Sequence, residues 1–330
     1  MTSKSGHKEK DSVSKTMLEH NQSAFVKSGK VMRATASQLA VGLHRSSEKI
    51  YGQIGSLEVR LAQSLADIRL AQRLRYKVFY EEMSAQPDFR SKLRKRDQDP
   101  YDKFCDHLLV FDKDPKSPIE GVERAGQRPH VVGTYRMLRH DMNTGERGFY
   151  TQSEYDIAPL IALRTPRYRF MELGRSCVLK PYRNKRTVEL LWQGLWAYVR
   201  EHDIDVMIGC ASFEGTDPQQ HALALSLLYH ERLAPQDWYV KAHPDMFVDM
   251  NLIAKDEIDT RAAFKALPPL IKGYMRLGAY IGDGAVIDHQ FGTTDVLIIL
   301  PVENIEPRFF EYFGAPNERQ IRVASGQSVP

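Results

Sequence analysis

Residues 170–201, FMELGRSCVLKPYRNKRTVELLWQGLWAYVRE, constrain the fold more than any other stretch of the chain. The run from Phe170 to Leu179 is mostly apolar and predicts a buried strand; from about Thr187 apolar residues recur at helical spacing. Between them a basic turn is broken by Pro181. A buried strand feeding a helix through a short turn places chemistry where strand becomes helix. Glu172 and Arg175 stand out within that strand, because two charges in an apolar run are costly unless paired or used. Three residues apart, they point to opposite faces of a regular strand. A bulge at Gly174 would bring them together, since glycine inside a strand is a bulge signal. The alternative is that each is paired with a neighbour for structural reasons alone.

The turn adds Arg183, Lys185 and Arg186 just before the first free N–H groups of the helix at Thr187. Cations and helix N–H groups converging on one point make an anion site, and a phosphate-bearing ligand suits it. Three cations after a proline also describe an ordinary solvated corner.

Elsewhere the signals are weaker. Nine of the 46 Lys and Arg but only four of the 42 Asp and Glu fall in residues 1–50, so the basic balance belongs mostly to this end. Residues 1–55 read as a disordered or weakly structured basic tail, rich in Ser and Lys and without sustained period. A basic segment of this kind has some attraction for an anionic membrane surface. The remainder is nearly neutral and lacks a basic face with interleaved aromatics, which argues against nucleic acid as a partner. Cys105, Cys177 and Cys210 lie in strand-like segments without metal-ligand spacing, so free thiols in a reducing compartment and no metal are expected. No apolar run approaches the length of a spanning helix, and no secretory block opens the chain; a cytoplasmic protein is expected.

With 42% hydrophobic residues the chain can bury a large core. LEVRLAQS alternates as a half-buried strand, and residues 65–83 follow with helical spacing. The stretch DFRSKLRKRDQDPYDK has no apolar period and reads as a long exposed loop. CDHLLVFD and HVVGTYRMLRH predict an antiparallel pair, SEYDIAPLIAL a short helix, and IDVMIGCASF another buried strand. Asp217 and Pro218 predict a helix start. Phe247 to Ile253 read as strand, and Val296 to Leu300 as a final apolar strand. Gly282 and Gly284 follow no clear strand, which leaves a nucleotide loop there unsupported. Ile271, Tyr274, Met275, Leu277 and Tyr280 form either an interfacial face or the inner face of a helix. One domain over 56–315, with a C-terminal extension from 255 and a flexible end at 316–330, accounts for the pattern.

His107 and Asp112 spell HxxxxD, but five residues apart on a strand they face opposite sides, so the match is read as coincidence. Arg75, Phe79, Asp99, Asp102 and Arg136 have no shared meaning from spacing alone.

Taken together, LRYKVFYEEM, DPYDKFCDHLLVFD, VVGTYRMLR, ELGRSCVLKPYRNKRT, GCASFEGTDP and PPLIKGYMRLGAYIGDGAVID resemble the ornithine N-α-acyltransferases of bacterial ornithine-lipid synthesis, over roughly residues 57–300. The same blocks are more distantly similar to acyl-homoserine-lactone synthases. The resemblance implies an α+β, GNAT-like fold, a three-layer α/β/α mixed sheet whose central bulged strand splays to admit a pantetheine arm. It implies transfer of a 3-hydroxyacyl group from acyl-carrier protein to the α-amine of ornithine, giving lyso-ornithine lipid, with no cofactor beyond the donor's phosphopantetheine. It also groups Arg75 and Phe79, the DxxD of Asp99 and Asp102, Arg136, and the ExxR of Glu172 and Arg175. The wider superfamily's R/Q-x-x-G-x-G/A loop is not matched, because Arg183 is followed by Lys185, Arg186 and Val188 without glycine. Such a turn suits the single phosphodiester of a carrier protein, held by the side chains of Arg183, Lys185, Arg186 and Thr187.

These expectations make Glu172 the base that takes the acceptor's proton and Arg175 its orienting partner, with backbone N–H groups near Cys177 or Val178 as oxyanion donors. Cys177 as a nucleophile is the alternative chemistry, although no His is placed to activate it. Asp99, Asp102 or Asp283 would meet the acceptor's cation, and Arg75 or Arg136 its carboxylate. Acidic carrier protein would dock on Arg90, Lys92, Arg94, Lys95 and Arg96 together with the turn at Arg183 to Arg186. The competing readings are a signal-molecule synthase and a non-catalytic carrier-protein or lipid-binding module.

Overall fold

Strand-forming segments at both ends of the chain meet in one mixed sheet. A computed structural model describes residues 49–83, 85–113, 130–142, 148–165 and 167–326. The strands are β1 (Ile50–Ile54), β2 (Leu57–Leu61), β3 (Asp106–Asp112), β4 (His130–Arg139), β5 (Phe170–Val178), β6 (Val206–Glu214), β7 (Tyr280–Asp288) and β8 (Thr293–Pro301). Their order in the sheet is β1-β2-β3-β4-β5-β6-β8-β7. All neighbours are antiparallel except β5 and β6, the pair joined by the crossover helix.

Nine α-helices are described: α1 (Leu65–Tyr76), α2 (Phe89–Arg94), α3 (Ala158–Arg164), α4 (Lys185–Glu201), α5 (Ala222–Arg232), α6 (Thr260–Ala266), α7 (Pro269–Arg276), α8 (Pro307–Phe313) and α9 (Glu318–Ala324). The crossover helix α4 starts where Asn184 accepts the Thr187 N–H at 3.2 Å. It buries Leu190, Leu191, Leu195, Tyr198 and Val199 along one stripe. His107 and Leu108 show how the layers stack. His107 contacts the Asp102 carbonyl at 2.9 Å, beside Arg75 of α1, whereas Leu108 packs under Gly194 of α4. Consecutive strand residues face opposite sides, so α1 and α4 cover opposite faces of a three-layer α/β/α sandwich.

Several expectations change at this level. Residues 88–103 are not an exposed loop: Asp88 caps α2, and Asp97 and Asp102 are buried. Phe247 to Ile253 form no strand, only a bridge from Val248 to Ala285. Gly282 and Gly284 lie inside β7, where the register against β8 shifts. The stretch read as tail lies outside the described residues up to 48, but Ile50–Ile54 is β1. In the stretch read as a flexible end, α9 carries a capping box between Asn317 and Gln320. Ile271, Tyr274 and Met275 of α7 face the core rather than an interface. Asp217 caps a short 3₁₀ turn, Pro218–His221, that leads into α5. Among the described residues no helix is long and apolar enough to cross a membrane.

Candidate active site

The site begins where β5 and β6 part. They pair only from Phe170, Met171 and Glu172 to Val206, Met207 and Ile208. Beyond that, β5 continues against β4 and β6 against β8. At the fork a Cβ on Gly209 would overlap the Leu173 carbonyl oxygen, so only glycine lets the two backbones come this close. The bulge does occur, but on Arg175 and Ser176 rather than on Gly174. Between the Thr134–Cys177 and Arg136–Gly174 pairs β5 carries an extra residue, and Arg175 takes a left-handed φ of 50°. The strands enclose a cavity of about 460 Å³. Its walls include Glu172 to Val178 on β5, Cys210 to Ser212 on β6, and Phe79 on the π-helical turn that extends α1.

Glu172 and Arg175 both line this cavity without pairing to each other. Glu172 Oε1 accepts the Thr151 N–H at 2.6 Å and the Thr151 hydroxyl at 2.5 Å, and Oε2 accepts the Tyr150 N–H at 2.9 Å. Burial pushes its pKa up, against the pull of these donors. Arg175 turns the other way, to Asp97 at 3.4 Å and Asp99 at 3.2 Å, with its guanidinium over the Tyr150 and Phe291 rings.

The scattered cluster is one buried lattice of three arginines and three aspartates. Fully buried Arg75 binds Asp97 at 2.8 Å and Asp102 at 2.7 Å; Arg136 binds Asp99 and, at 3.3 Å, Asp102. Although burial opposes it, the charge and hydrogen bonds of Arg75 hold Asp102 well below the usual carboxylate range. Arg136 and Arg175 likewise lower Asp99 against its burial. The DxxD carboxylates are therefore engaged by protein cations rather than open to an acceptor's cation, and Arg75 does not reach the cavity. Asp283 is held by Tyr239 at 2.5 Å and Lys241 at 3.2 Å, also outside the cavity. Sequence reasoning missed Asp97, which lies inside the stretch read as an open loop.

A second missed group also lines the cavity. Glu154, Asp288 and Asp295 offer carboxylate oxygens within 4.8 Å of one another, and all three line the cavity. Burial pushes Glu154 up to about 7 and Asp295 up to about 6. The Cys210 thiol donates to Glu154 Oε2 at 3.0 Å. The available signal for Asp295 was an acid directly before the apolar run Val296 to Leu300 of β8.

Cys177 is a poor nucleophile, because burial pushes its thiol up to about 12 and no histidine among the described residues lines the cavity. The backbone resolves the oxyanion expectation further. The Leu179 N–H donates to Val132 on the β4 side at 2.9 Å, so alternation puts the Cys177 N–H on that side and the Val178 N–H toward the fork.

The basic turn does not act as one cluster. Arg183 lines the cavity, pairs with Glu82 and donates to the Val178 carbonyl at 2.9 Å. Lys185 pairs with Glu189 at 3.3 Å, Arg186 is exposed, and Thr187 is fully buried behind its cap. On α2 and just beyond it, Arg90, Lys92, Arg94 and Lys95 are exposed and Arg96 half-buried.

Residues 74–193 match the acetyltransferase (GNAT) domain. An L-ornithine N(alpha)-acyltransferase of Agrobacterium fabrum is 53% identical over 275 residues, covering 83% of this chain and 91% of that protein. One of Brucella abortus is 50% identical over 290 residues, covering 88% and 100%. One of Rhodobacter capsulatus is 38% identical over 258 residues, covering 78% and 95%. Among solved structures, an N-acyl amino acid synthase from uncultured soil microbes aligns at 12% identity and TM-score 0.40, covering 74% of this chain and 91% of that one. With that identity to proteins matched over nearly their whole length, the chain is a GNAT-fold acyltransferase and belongs to the L-ornithine N(alpha)-acyltransferase family.

Proposed function

We propose that the protein moves an acyl chain, 3-hydroxylated in the expected donor, from acyl-carrier protein to the α-amine of ornithine, giving lyso-ornithine lipid. The observation that carries this reading is the cavity at the β5–β6 fork, where a carboxylate, an outward N–H and an arginine line one space. In the proposed step the neutral amine attacks the thioester carbonyl, the C–N bond forms, and the C–S bond breaks to release the pantetheine thiol. Glu172 Oε2 accepts a single donor, leaving a lone pair for the amine proton, which it passes to the departing sulfur. The Val178 N–H faces the developing oxyanion. Amine, thioester and base complete the chemistry without a further cofactor.

Arg183 at the cavity and exposed Lys185 and Arg186 beside it are the groups proposed to meet the donor's phosphodiester, with Thr187 only helping to fix the helix start. Acidic carrier protein is proposed to dock on the basic residues of α2, in the cytoplasm and close to an anionic membrane surface that receives the product. The test is to supply purified protein with 3-hydroxyacyl-carrier protein or the matching coenzyme A thioester and a panel of amino acids, and to identify products by mass. The expected product is Nα-acylornithine from the carrier-protein donor, formed more slowly as salt rises. Formation of no acylated amino acid from either donor would overturn the reading.

A further inference from the structure

We infer that Glu154, Asp288 and Asp295 form the pocket that recognises the acceptor's distal ammonium and so select a diamino acid over a neutral one. The inference rests on the proposed acylation of ornithine and names the part of the cavity that reads its side chain.

Three observations support the site. The three carboxylates converge to within 4.8 Å in the cavity that Glu172 lines. An ammonium donating three bonds of about 2.9 Å in tetrahedral directions sets its acceptors ~4.7 Å apart, which this spread accommodates. Second, Asp295 is only 7% exposed, and although the Ser212 and Thr293 side chains lie beside its carboxyl, its Oδ1 makes no hydrogen bond of normal geometry. Third, Thr293 faces the same side of β8 as Asp295, is 4% exposed, and sets its hydroxyl beside the Asp295 carboxyl at the cavity wall. Buried polar atoms left unpaired beside a cavity are matched by a ligand that supplies the missing donors. The other acid lining the cavity among the described residues, Glu172, is already surrounded by donors, while of the cavity's arginines Arg136 and Arg175 are engaged by Asp97, Asp99 and Asp102 and Arg183 by Glu82. The acidic wall is thus the part of the cavity whose charge the lattice leaves uncompensated.

The test compares L-ornithine with L-norvaline, which has the same carbon chain without the distal amine, on the wild-type protein and on Asp295→Asn and Asp288→Asn. Wild type is expected to prefer ornithine at least 100-fold in kcat/KM. Each variant should raise the ornithine KM tenfold or more, leave kcat within about threefold, and leave norvaline unchanged. Ornithine should also raise the melting temperature of wild type more than norvaline does, a difference that Asp295→Asn abolishes. Equal losses for both acceptors, or unchanged discrimination in both folded variants, would overturn the site while leaving ornithine acylation intact. Activity abolished by EDTA and restored by a divalent metal only while the triad is intact would also overturn it, because the carboxylates would then hold a metal. Acylation of neither acceptor by wild type would overturn the underlying reading and the site together.

Discussion

Glu172 and Arg175 are linked through Tyr150 rather than to each other. The Tyr150 N–H donates to Glu172 Oε2 at 2.9 Å, while its ring lies 5.1 Å from the Arg175 guanidinium carbon. One short turn, Tyr150–Ser153, therefore sets the position of the proposed base and packs against the arginine that ties β5 to the aspartate lattice.

The two residues should fail differently when substituted. Glu172→Gln keeps the shape and is expected to lower kcat by about 10²–10⁴, the usual contribution of general-base catalysis. Arg175→Ala leaves Asp97 and Asp99 short of a cation and is expected to cost roughly 3–5 kcal/mol of stability, as breaking a buried ion pair does. Urea denaturation beside steady-state kinetics separates the two. A Glu172→Gln protein with wild-type turnover would remove Glu172 as the base.

Thr151 gives a subtler handle on the same group. Its hydroxyl donates to Glu172 Oε1 and favours the ionised form, so Thr151→Val should raise the Glu172 pKa further above the ordinary carboxylate value. Because the base must be ionised, the acidic limb of the kcat/KM profile should move to higher pH while the alkaline limb stays in place. An unmoved acidic limb would assign that limb to another group.

The lattice predicts acid sensitivity. Asp102 and Asp99 have folded pKa values below their unfolded ones, so their stabilisation is present above about pH 4, the ordinary carboxylate pKa, and is lost as pH falls through the folded values. Unfolding free energy should therefore drop steeply below about pH 4. Asp102→Asn should lose roughly 3–5 kcal/mol at pH 7 and show a shallower acid decline, measurable by urea melts across that range.

The central unit was legible in the sequence because its signals are local: apolar run, proline-broken turn and helical period produce β5 and α4 where expected. The antiparallel β3–β4 pair was legible for the same reason. Asp97 and Asp102 were not, since their burial depends on arginines on α1, β4 and β5, a long-range pairing that periodicity does not encode. The acidic wall was hidden likewise: Glu154 follows a 3₁₀ turn, Asp288 ends β7 and Asp295 sits in β8, and only the sheet brings them together. The bulge was misplaced by one residue because glycine was the visible signal, whereas Arg175 takes the left-handed turn, with its guanidinium held by Asp97 and Asp99. Gly209, the residue that lets β6 meet β5 at the fork, carries no local mark distinguishing it from any other strand glycine.

The acidic wall should trade stability for its charge. Glu154 has a folded pKa near 7, above its unfolded value, so its contribution is most favourable at low pH and declines as pH rises toward 7. A shift of that size corresponds to roughly 2–4 kcal/mol once the carboxylate is fully ionised. Glu154→Gln is therefore expected to be more stable than wild type at pH 8 and close to it at pH 4.5, the difference opening across the interval between. Saturating ornithine brings a cation to the ionised wall and should stabilise wild type more than the variant at pH 8, narrowing the gap. Urea melts at both pH values, with and without ornithine, measure all four stabilities. A gap independent of pH would mean that Glu154 is not held protonated by burial, and a gap unaffected by ornithine would separate its titration from acceptor binding.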